Sequence, residues 1–582
     1  MTVSESRVPS CEHRAYVHTG QRGIIRDGSD PANEGRAWLT VPAFSNMISH
    51  ERMLKEERLT VTSSVSSRQI NICLWGKRAM YFTYESFKKF CKENIPVLIL
   101  IPIITFLAYG GKIFYQTISF DLEFLMDDPA AFYDSWVSMN RWALLPYKFF
   151  SGTWVFNMPM EITYTIINLM AAMFLFGWLL DVLTDGKNRI GVAVFLALFL
   201  THPVWGEQYV YMLQGAAISF YTALTAVALM LFADGVAHKS LPRFILGFVA
   251  AVFCFGAYQS FDSLIVAGLC AVYILVMRRE KMDARAGWIL VIKSAVFIVG
   301  AFIIAQLIGT VWARVTGIVG SQYFSTMTSW GRLPVGECLL KIRRAIGKIF
   351  FAKDFYYNLL YPVCTFLGLA LFWFRRKEYK CILLPVLAYC LLVLAPFYLI
   401  FLTGQSQQSR SHFAGPFTFA FLAFFVLLEL SRQVLYFAGA FLAFAVSVSQ
   451  IVLIERIHYT EYVRYEQDLA RATDISRRIN MITGSEYNEL PLVFVGNCAN
   501  NMNKTCVPKH DDAYVGTSLF EVEQIAPNKL NSFMSQHGMR YGYATGDVIK
   551  RGYEISAELG LPTYPADGSI AVYENIIIVR LS

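Results

Sequence analysis

Residues 287–310 read GWILVIKSAVFIVGAFIIAQLIGT. Lys293 is the one charged residue in this stretch, and it lies close enough to the start for its flexible stem to carry the ammonium out to the headgroups. At about 1.5 Å per residue, a helix of this length spans about 36 Å, enough to cross a hydrocarbon core of roughly 30 Å. Length and lack of charge, rather than periodicity, decide the reading. Ten more blocks of this character flank it, at 96–114, 160–181, 190–201, 213–232, 245–258, 263–277, 359–374, 381–402, 413–430 and 435–454. The chain is therefore expected to be mainly α, a polytopic membrane protein of about eleven transmembrane helices. The short third, fifth and sixth blocks are open to three readings: tilted, extended into their neighbours or partly re-entrant.

Composition agrees. Hydrophobic residues make up 55% of the 582 residues and charged residues 16%, against roughly 25% charged in an ordinary soluble domain. This excludes a cytosolic enzyme, a secreted domain and a soluble nucleic-acid binder. The formal charge of +8 follows from basic residues at helix ends, next to anionic lipid, and calls for no nucleic-acid partner.

Lys187/Arg189, Lys239/Arg243, Arg278/Arg279/Lys281/Arg285, Arg375/Arg376/Lys377/Lys380 and Arg432 fall in alternate turns. Positive residues favour the cytoplasmic side, so the N-terminus is expected inside and, with an odd number of spans, the C-terminal region outside. The expected organisation has four parts. Segment 1–70, polar and without an apolar run, is either disordered cytoplasmic chain or lies upstream of the true translation start, with Met47, Met53 and Met80 as internal starts. A basic juxtamembrane segment, 71–94, leads into the transmembrane domain, 95–454, with outer loops at 115–159 and 311–358. An extracytoplasmic domain, 455–582, is expected to be a small α/β unit: a charged helical stretch over 461–479, a strand at Leu492–Val495 and a buried closing strand at 576–579.

The first outer loop carries Asp121, Glu123, Asp127, Asp128 and Asp134, five carboxylates within fourteen residues, followed by Arg141-Trp142. Such a loop can be merely solvated, with a divalent cation (Mg²⁺ or Mn²⁺) as an incidental partner. Alternatively, Asp127 and Asp128, between Phe124-Leu125-Met126 and Pro129, lie at the membrane surface, where a partly desolvated carboxylate can accept a proton from a hydroxyl nucleophile. In the second outer loop Leu339, Ile342, Ile346, Ile349 and Phe350 follow helical spacing, with Lys341, Arg343, Arg344 and Lys348 on the other side. This amphipathic helix either anchors on anionic headgroups or, with Arg410 of a later turn, binds a lipid-linked phosphate. Glu207, in a short outer turn after His202-Pro203, can accept a hydrogen bond from a sugar or be merely solvated, and Gln259, at the end of the fifth span, can bind substrate or a neighbouring helix. The nine histidines form no zinc motif, and no nucleotide-binding loop is present. Cys498 and Cys506, in a polar region, can pair in an oxidising compartment.

Taken in order, Asp127-Asp128, Asn140-Arg141-Trp142, the Pro203 to Glu207 turn, Tyr258-Gln259 and the close Asp567-Gly568-Ser569-Ile570 through Ile578 resemble the bacterial GtrII-like integral-membrane glucosyltransferases, which modify O-antigen and related surface glycans. In that family Gly-Arg-Trp stands where this chain has Asn140-Arg141-Trp142. The resemblance covers about 95–582. It implies a GT-C-type fold in the bacterial inner membrane, a polyprenyl-phosphate sugar as donor, and a glycan or lipid-linked glycan as acceptor. It also implies that an acid of the Asp127-Asp128 pair activates the acceptor, with inversion at the anomeric carbon. Asp121, Glu123, Asp134, Arg141, Glu207 and Gln259 are then expected at the substrate, and Lys341, Arg343, Arg344, Lys348 and Arg410 at the phosphate. A transporter or flippase for a lipid-linked sugar or polysaccharide would share many of these features, but should show internal repeats and charged or broken mid-membrane helices, whereas no repeat is evident and the spans are nearly free of acids. A GT-C enzyme with another sugar would leave much the same signature.

Overall fold

The computed structural model describes residues 80–321, 323–430, 432–484, 489–498, 515–522 and 527–582; the expectations for 1–70 fall outside them. All eleven apolar blocks are helical. Among the described residues seven helices are long and apolar enough to cross a membrane. An eighth arises if Tyr84–Glu93 and Ile95–Tyr109, bent by 76°, count as one span, while Leu241–Ala257, Leu360–Phe374 and Ala414–Glu429 are apolar but shorter. The bend has a local cause. Pro96 sits in the opening turn of the second helix, where its missing N–H cannot continue the ladder from the first.

Of the three short blocks, the third stops at Leu200 and resumes as Pro203–Gln208, the two together reaching span length. The sixth extends on both sides to Ser260–Glu280, and the fifth remains 17 residues long. Burial separates central from peripheral spans: 94% of the apolar window of Ser260–Glu280 is buried, against 22% for Ala284–Thr316. The first is an interior helix, and the second presents most of its surface outward, where lipid would lie. Aromatic side chains fill the centre. Phe176, Phe195 and Phe199 pack around Phe417 at centroid separations of 5.5–6.0 Å, the close packing on which helix association in lipid depends.

The basic turns gather at one end of the bundle. Arg189 pairs with Glu93 (2.5 Å), Arg279 with Asp185 (2.8 Å) and Arg278 with Glu429 (2.9 Å), and Arg243 pairs with the fully buried Asp234. The opposite end carries the loops and the C-terminal region. Loop 115–159 contains helices α1 (Leu122–Asp127) and α2 (Pro129–Ser138), and loop 311–358 contains α3 (Val335–Phe350). In α3 Ile342 and Ile349 of the expected stripe are buried, together with Cys338 and Ala345; Ile346 and Phe350 are half-buried, Leu339 is exposed, and the basic face is exposed.

The last span and the charged stretch after it form one helix, α4 (Gln433–Thr483), of 51 residues, about 76 Å at the standard rise. No proline interrupts it, and glycine is absent from 440 to its cap at Gly484. The boundary expected at 454/455 therefore falls inside a continuous helix. Strands β1 (Leu492–Val495), β2 (Ile570–Tyr573) and β3 (Ile576–Arg580) follow, with helices α5 (Pro527–Ser535) and α6 (Gly546–Glu558) between β1 and β2. The sheet order is β1-β3-β2, with β1 parallel and β2 antiparallel to β3. The β2–β3 hairpin turns on Glu574-Asn575, both at positive φ, the conformation of a two-residue type I′ loop. The closing strand is buried at Ile576–Val579, as its apolar run implies.

Candidate functional site

The first loop is organised by its own acids. Asp121 has φ 70° and forms the N-cap of α1, its N–H donating to Glu123 Oε1 at 3.1 Å. Asp128 ends α1 and caps α2, where its Oδ1 accepts from Ala131 N–H at 3.1 Å ahead of Pro129 in the first turn, an arrangement that satisfies an otherwise unpaired helix N–H. Asn140, at φ 61°, reverses the chain after α2. Only residues tolerating the left-handed region suit such a position; asparagine does so, as glycine would. Trp142 is then driven between helices. Its Nε1–H donates to Ala305 O at 3.0 Å, and a Cβ on Gly256 would lie 2.4 Å from its ring. This wedge fixes Arg141 beside it.

Arg141, Asp121 and Arg410 line one cavity of about 230 Å³, together with Tyr211, Gln214, Tyr258, Trp136 and Lys529. Arg141 lies 4.4 Å over the Tyr258 ring, and its Nε–H donates to Gln259 Oε1 at 3.4 Å; the Gln259 amide donates in turn to Met139 O at 2.8 Å. Arg410 lies 3.7 Å over the Tyr211 ring. Lys529, on α5, is 2.5 Å from Asp121 Oδ1 and 3.9 Å from Glu123 Oε1. Burial pushes Glu123 up from 4.5 to about 7, with Lys529 opposing. Burial alone would lower Lys529, but Asp121 and Glu123 hold it above its ordinary value. Among the described residues the cavity thus combines one carboxylate, three cations and five aromatic side chains, a combination that can bind a phosphorylated sugar and accept a proton beside it.

The other expected residues lie elsewhere. Asp127 accepts hydrogen bonds from Ser532 (3.1 Å) and Tyr543 of the C-terminal region, so it ties α1 to α5. Asp128 and Asp134 are exposed. Neither Asp127 nor Asp128 lines the cavity. Glu207 is fully buried against the Tyr356 hydroxyl. Lys341, Arg343, Arg344 and Lys348 are exposed on α3 and are absent from the cavity wall. Cys498 is half-buried, but Cys506 lies outside the described residues, so the pairing is not addressed.

Two residues escaped sequence reasoning. Lys529 stands 408 positions from Asp121, and no local pattern marks it. Arg464 is fully buried in α4, bonded to Glu461 and to Asp468 (3.0 Å), and donates to Ile118 O at 2.9 Å. Asp468 also accepts from Leu519 N–H at 2.9 Å and from Ser518. Arg464 therefore joins the start of the first loop to α4 and, through Asp468, to the C-terminal region. The i, i+3 and i, i+4 spacing of Glu461, Arg464 and Asp468 was a readable hint.

Among the described residues no group of three or more His, Cys, Asp or Glu side chains is arranged to hold a metal ion. The cavity's one carboxylate already faces Lys529, a donor set unlike the several oxygen ligands Mg²⁺ or Mn²⁺ requires.

The family model described as glucosyl transferase GtrII matches residues 113–428, more than half of the chain. No curated protein and no solved structure gives a significant match. The matched segment contains the first loop, Gln259 and Arg410, and ends before α4 and α5.

Proposed function

From the premise that the chain belongs to the GtrII glucosyl transferase family, we propose that it moves glucose from a polyprenyl-phosphate donor to a surface glycan, on the extracytoplasmic face of a bacterial inner membrane and with inversion. Membership already makes it a glucosyltransferase acting on a sugar donor and a glycan acceptor, on a mainly helical, polytopic scaffold of GT-C-like type. The observation that carries the finer reading is the cavity at the loop end of the bundle, where Asp121 meets Arg141, Arg410 and Lys529.

The roles follow from charge. Asp121 takes the proton of an acceptor hydroxyl, whose oxygen attacks the anomeric carbon. The bond from that carbon to the phosphate oxygen breaks, and the electron pair leaves with the polyprenyl phosphate. Negative charge develops on that oxygen, so donors aimed there favour the transition state. Arg141 and Arg410, braced over Tyr258 and Tyr211, and Lys529 are assigned to it. As the phosphate draws Lys529 toward itself, the Asp121 carboxylate is freed to accept the proton. This gives Asp121 the work expected of the Asp127-Asp128 pair. Support for the change is that Asp121 alone among the first-loop carboxylates lines the cavity, while Asp127 holds α5 and Asp128 caps α2. The exposed face of α3 is assigned to anionic headgroups, with Arg410 as the one member of the expected phosphate set at the cavity.

The test is transfer of radiolabelled glucose from polyprenyl-phosphate glucose to a host glycan in proteoliposomes. Asp121→Asn is expected to lower turnover by at least about a hundredfold, the usual contribution of a general base. Asp128→Asn, which keeps a capping side chain, is expected to stay within about threefold of the native protein. Undiminished turnover by Asp121→Asn would refute the assignment.

A further inference from the structure

A second recess opens wholly beyond the family-matched segment. It lies between the distal part of α4 and the segment that follows α5, with a volume of about 800 Å³, within the range of small-molecule sites. Thr473, Ser476, Asn480 and His537 give it hydroxyl, amide and imidazole groups, while Met481 and Met539 add apolar surface. We propose that this groove is a subsite for the glycan acceptor, holding sugar units remote from the one that receives glucose. The proposal rests on the transferase reading.

Three observations favour a neutral glycan. Arg477, the cation among the described wall residues, is paired with Asp474 at 2.9 Å, so among the described residues the groove offers no uncommitted positive charge for an anion. Leu469, where the groove begins, is fifteen residues beyond the apolar block that ends at 454, or about 22 Å along α4, too far out for a lipid chain. Met481 is 73% exposed, an apolar platform in polar surroundings, and sugars present C–H faces as well as hydroxyls. The walls are also fixed in place: Ser476 bonds Tyr541 at 2.7 Å, and Tyr465 meets His537 at 3.4 Å, which limits the ordering cost of binding.

The groove and the cavity are joined by one element. Lys529 on α5 lines the cavity, and His537, just past the end of α5, lines the groove. Eight residues separate them, about 12 Å at the helical rise, a distance that a few linked sugars cover. A growing or completed polysaccharide could thus lie along α5, with its reacting unit at Asp121 and its remote units on α4.

The test is equilibrium binding, without donor, of size-fractionated surface polysaccharide from the source cell to the full chain in detergent. The native protein is expected to bind the polymeric fraction. Thr473→Trp, whose indole fills the groove, and Met481→Ala, which removes the platform, are each expected to weaken binding about fivefold or more, with an unchanged unfolding midpoint. Should one variant fail to fold, the other decides. Failure of the native protein to bind, or undiminished binding by a folded variant, would overturn the subsite. Glucose transfer assayed separately reports on the transferase reading, so the two failures are distinguishable.

Discussion

Within eight residues, Asp121, Asp127 and Asp128 place the same functional group in three different surroundings. Asp121 faces Lys529 in a cavity, Asp127 meets two hydroxyls of the C-terminal region, and Asp128 caps a helix. Chemistry is decided by these surroundings, which a count of carboxylates cannot convey. Glu123 makes the point measurable. Burial raises it from 4.5 to about 7, whereas in the unfolded chain it ionises near its ordinary value. Between those limits the folded state retains a proton the unfolded state has lost, so this group's contribution to stability is full below about 4.5 and falls as pH rises to about 7. Glu123→Gln keeps an oxygen able to accept the Asp121 N–H but has no proton to lose. Its unfolding midpoint is expected to gain on that of the native protein from about pH 5 to about pH 7.5 and to run parallel above. A constant difference across that range would mean Glu123 is ionised throughout. Asp121, Arg141, Gln259 and Arg410 could be named from the chain as candidates, Asp121 as one of five loop carboxylates, Arg141 just after them, Gln259 at the end of a span and Arg410 in a later turn, because residue type and position are local. Lys529 was not, because its importance comes from proximity across 408 positions.

Elements reveal a different division. Apolar blocks announced themselves, since a helix in lipid must satisfy its backbone internally and show apolar surface. The α3 stripe was equally plain, because its periodicity is local. What the pattern could not show was where α3 sits: its basic residues are exposed and away from the cavity. Replacing Lys341, Arg343, Arg344 and Lys348 together by Gln is therefore expected to weaken attachment of the loop to anionic vesicles while leaving turnover at saturating donor within about threefold, since each basic residue near such a surface contributes about 1 kcal/mol. A fall in turnover of a hundredfold would return these residues to the phosphate. Continuity of α4 was hidden by the change from apolar to charged sequence near 454, although neither proline nor glycine breaks it there. Its buried Arg464 holds the first loop and the C-terminal region together. Arg464→Ala leaves Glu461 and Asp468 buried without their cation, a loss of about 3–5 kcal/mol. Thermal unfolding is expected at markedly lower temperature. An unchanged midpoint would show that the two acids find other partners.

For the whole molecule the decisive quantity is which side of the membrane each end occupies. Five basic turns lie at one end of the bundle, and the cavity, α3 and the C-terminal sheet lie at the other. Because Lys and Arg next to a span favour the cytoplasm, the cavity is expected to face outward, the side on which the proposed lipid-linked donor and surface glycan would meet. Alternation of turns distinguishes the two ends in the chain itself, since it depends on order alone; assembly of the site across α1, the Tyr258 break, the Arg410 turn and α5 depends on tertiary packing and was not legible. A reporter fused after Ser582 tests the orientation. Alkaline phosphatase at that position is expected to be active and green fluorescent protein dark, because the first needs an oxidising compartment for its disulfides and the second becomes fluorescent in the cytoplasm. Placed after Lys380, in a basic turn, the same reporters are expected to give the opposite result. An active phosphatase at both positions would mean that a span has been miscounted between them. A bright fluorescent protein after Ser582 would put Asp121 and Lys529 on the cytoplasmic side and require a donor available there. In the expected orientation Cys498 also meets an oxidising compartment, so thiol titration of the unfolded, unreduced protein would show two fewer free cysteines than the reduced chain if it pairs with Cys506.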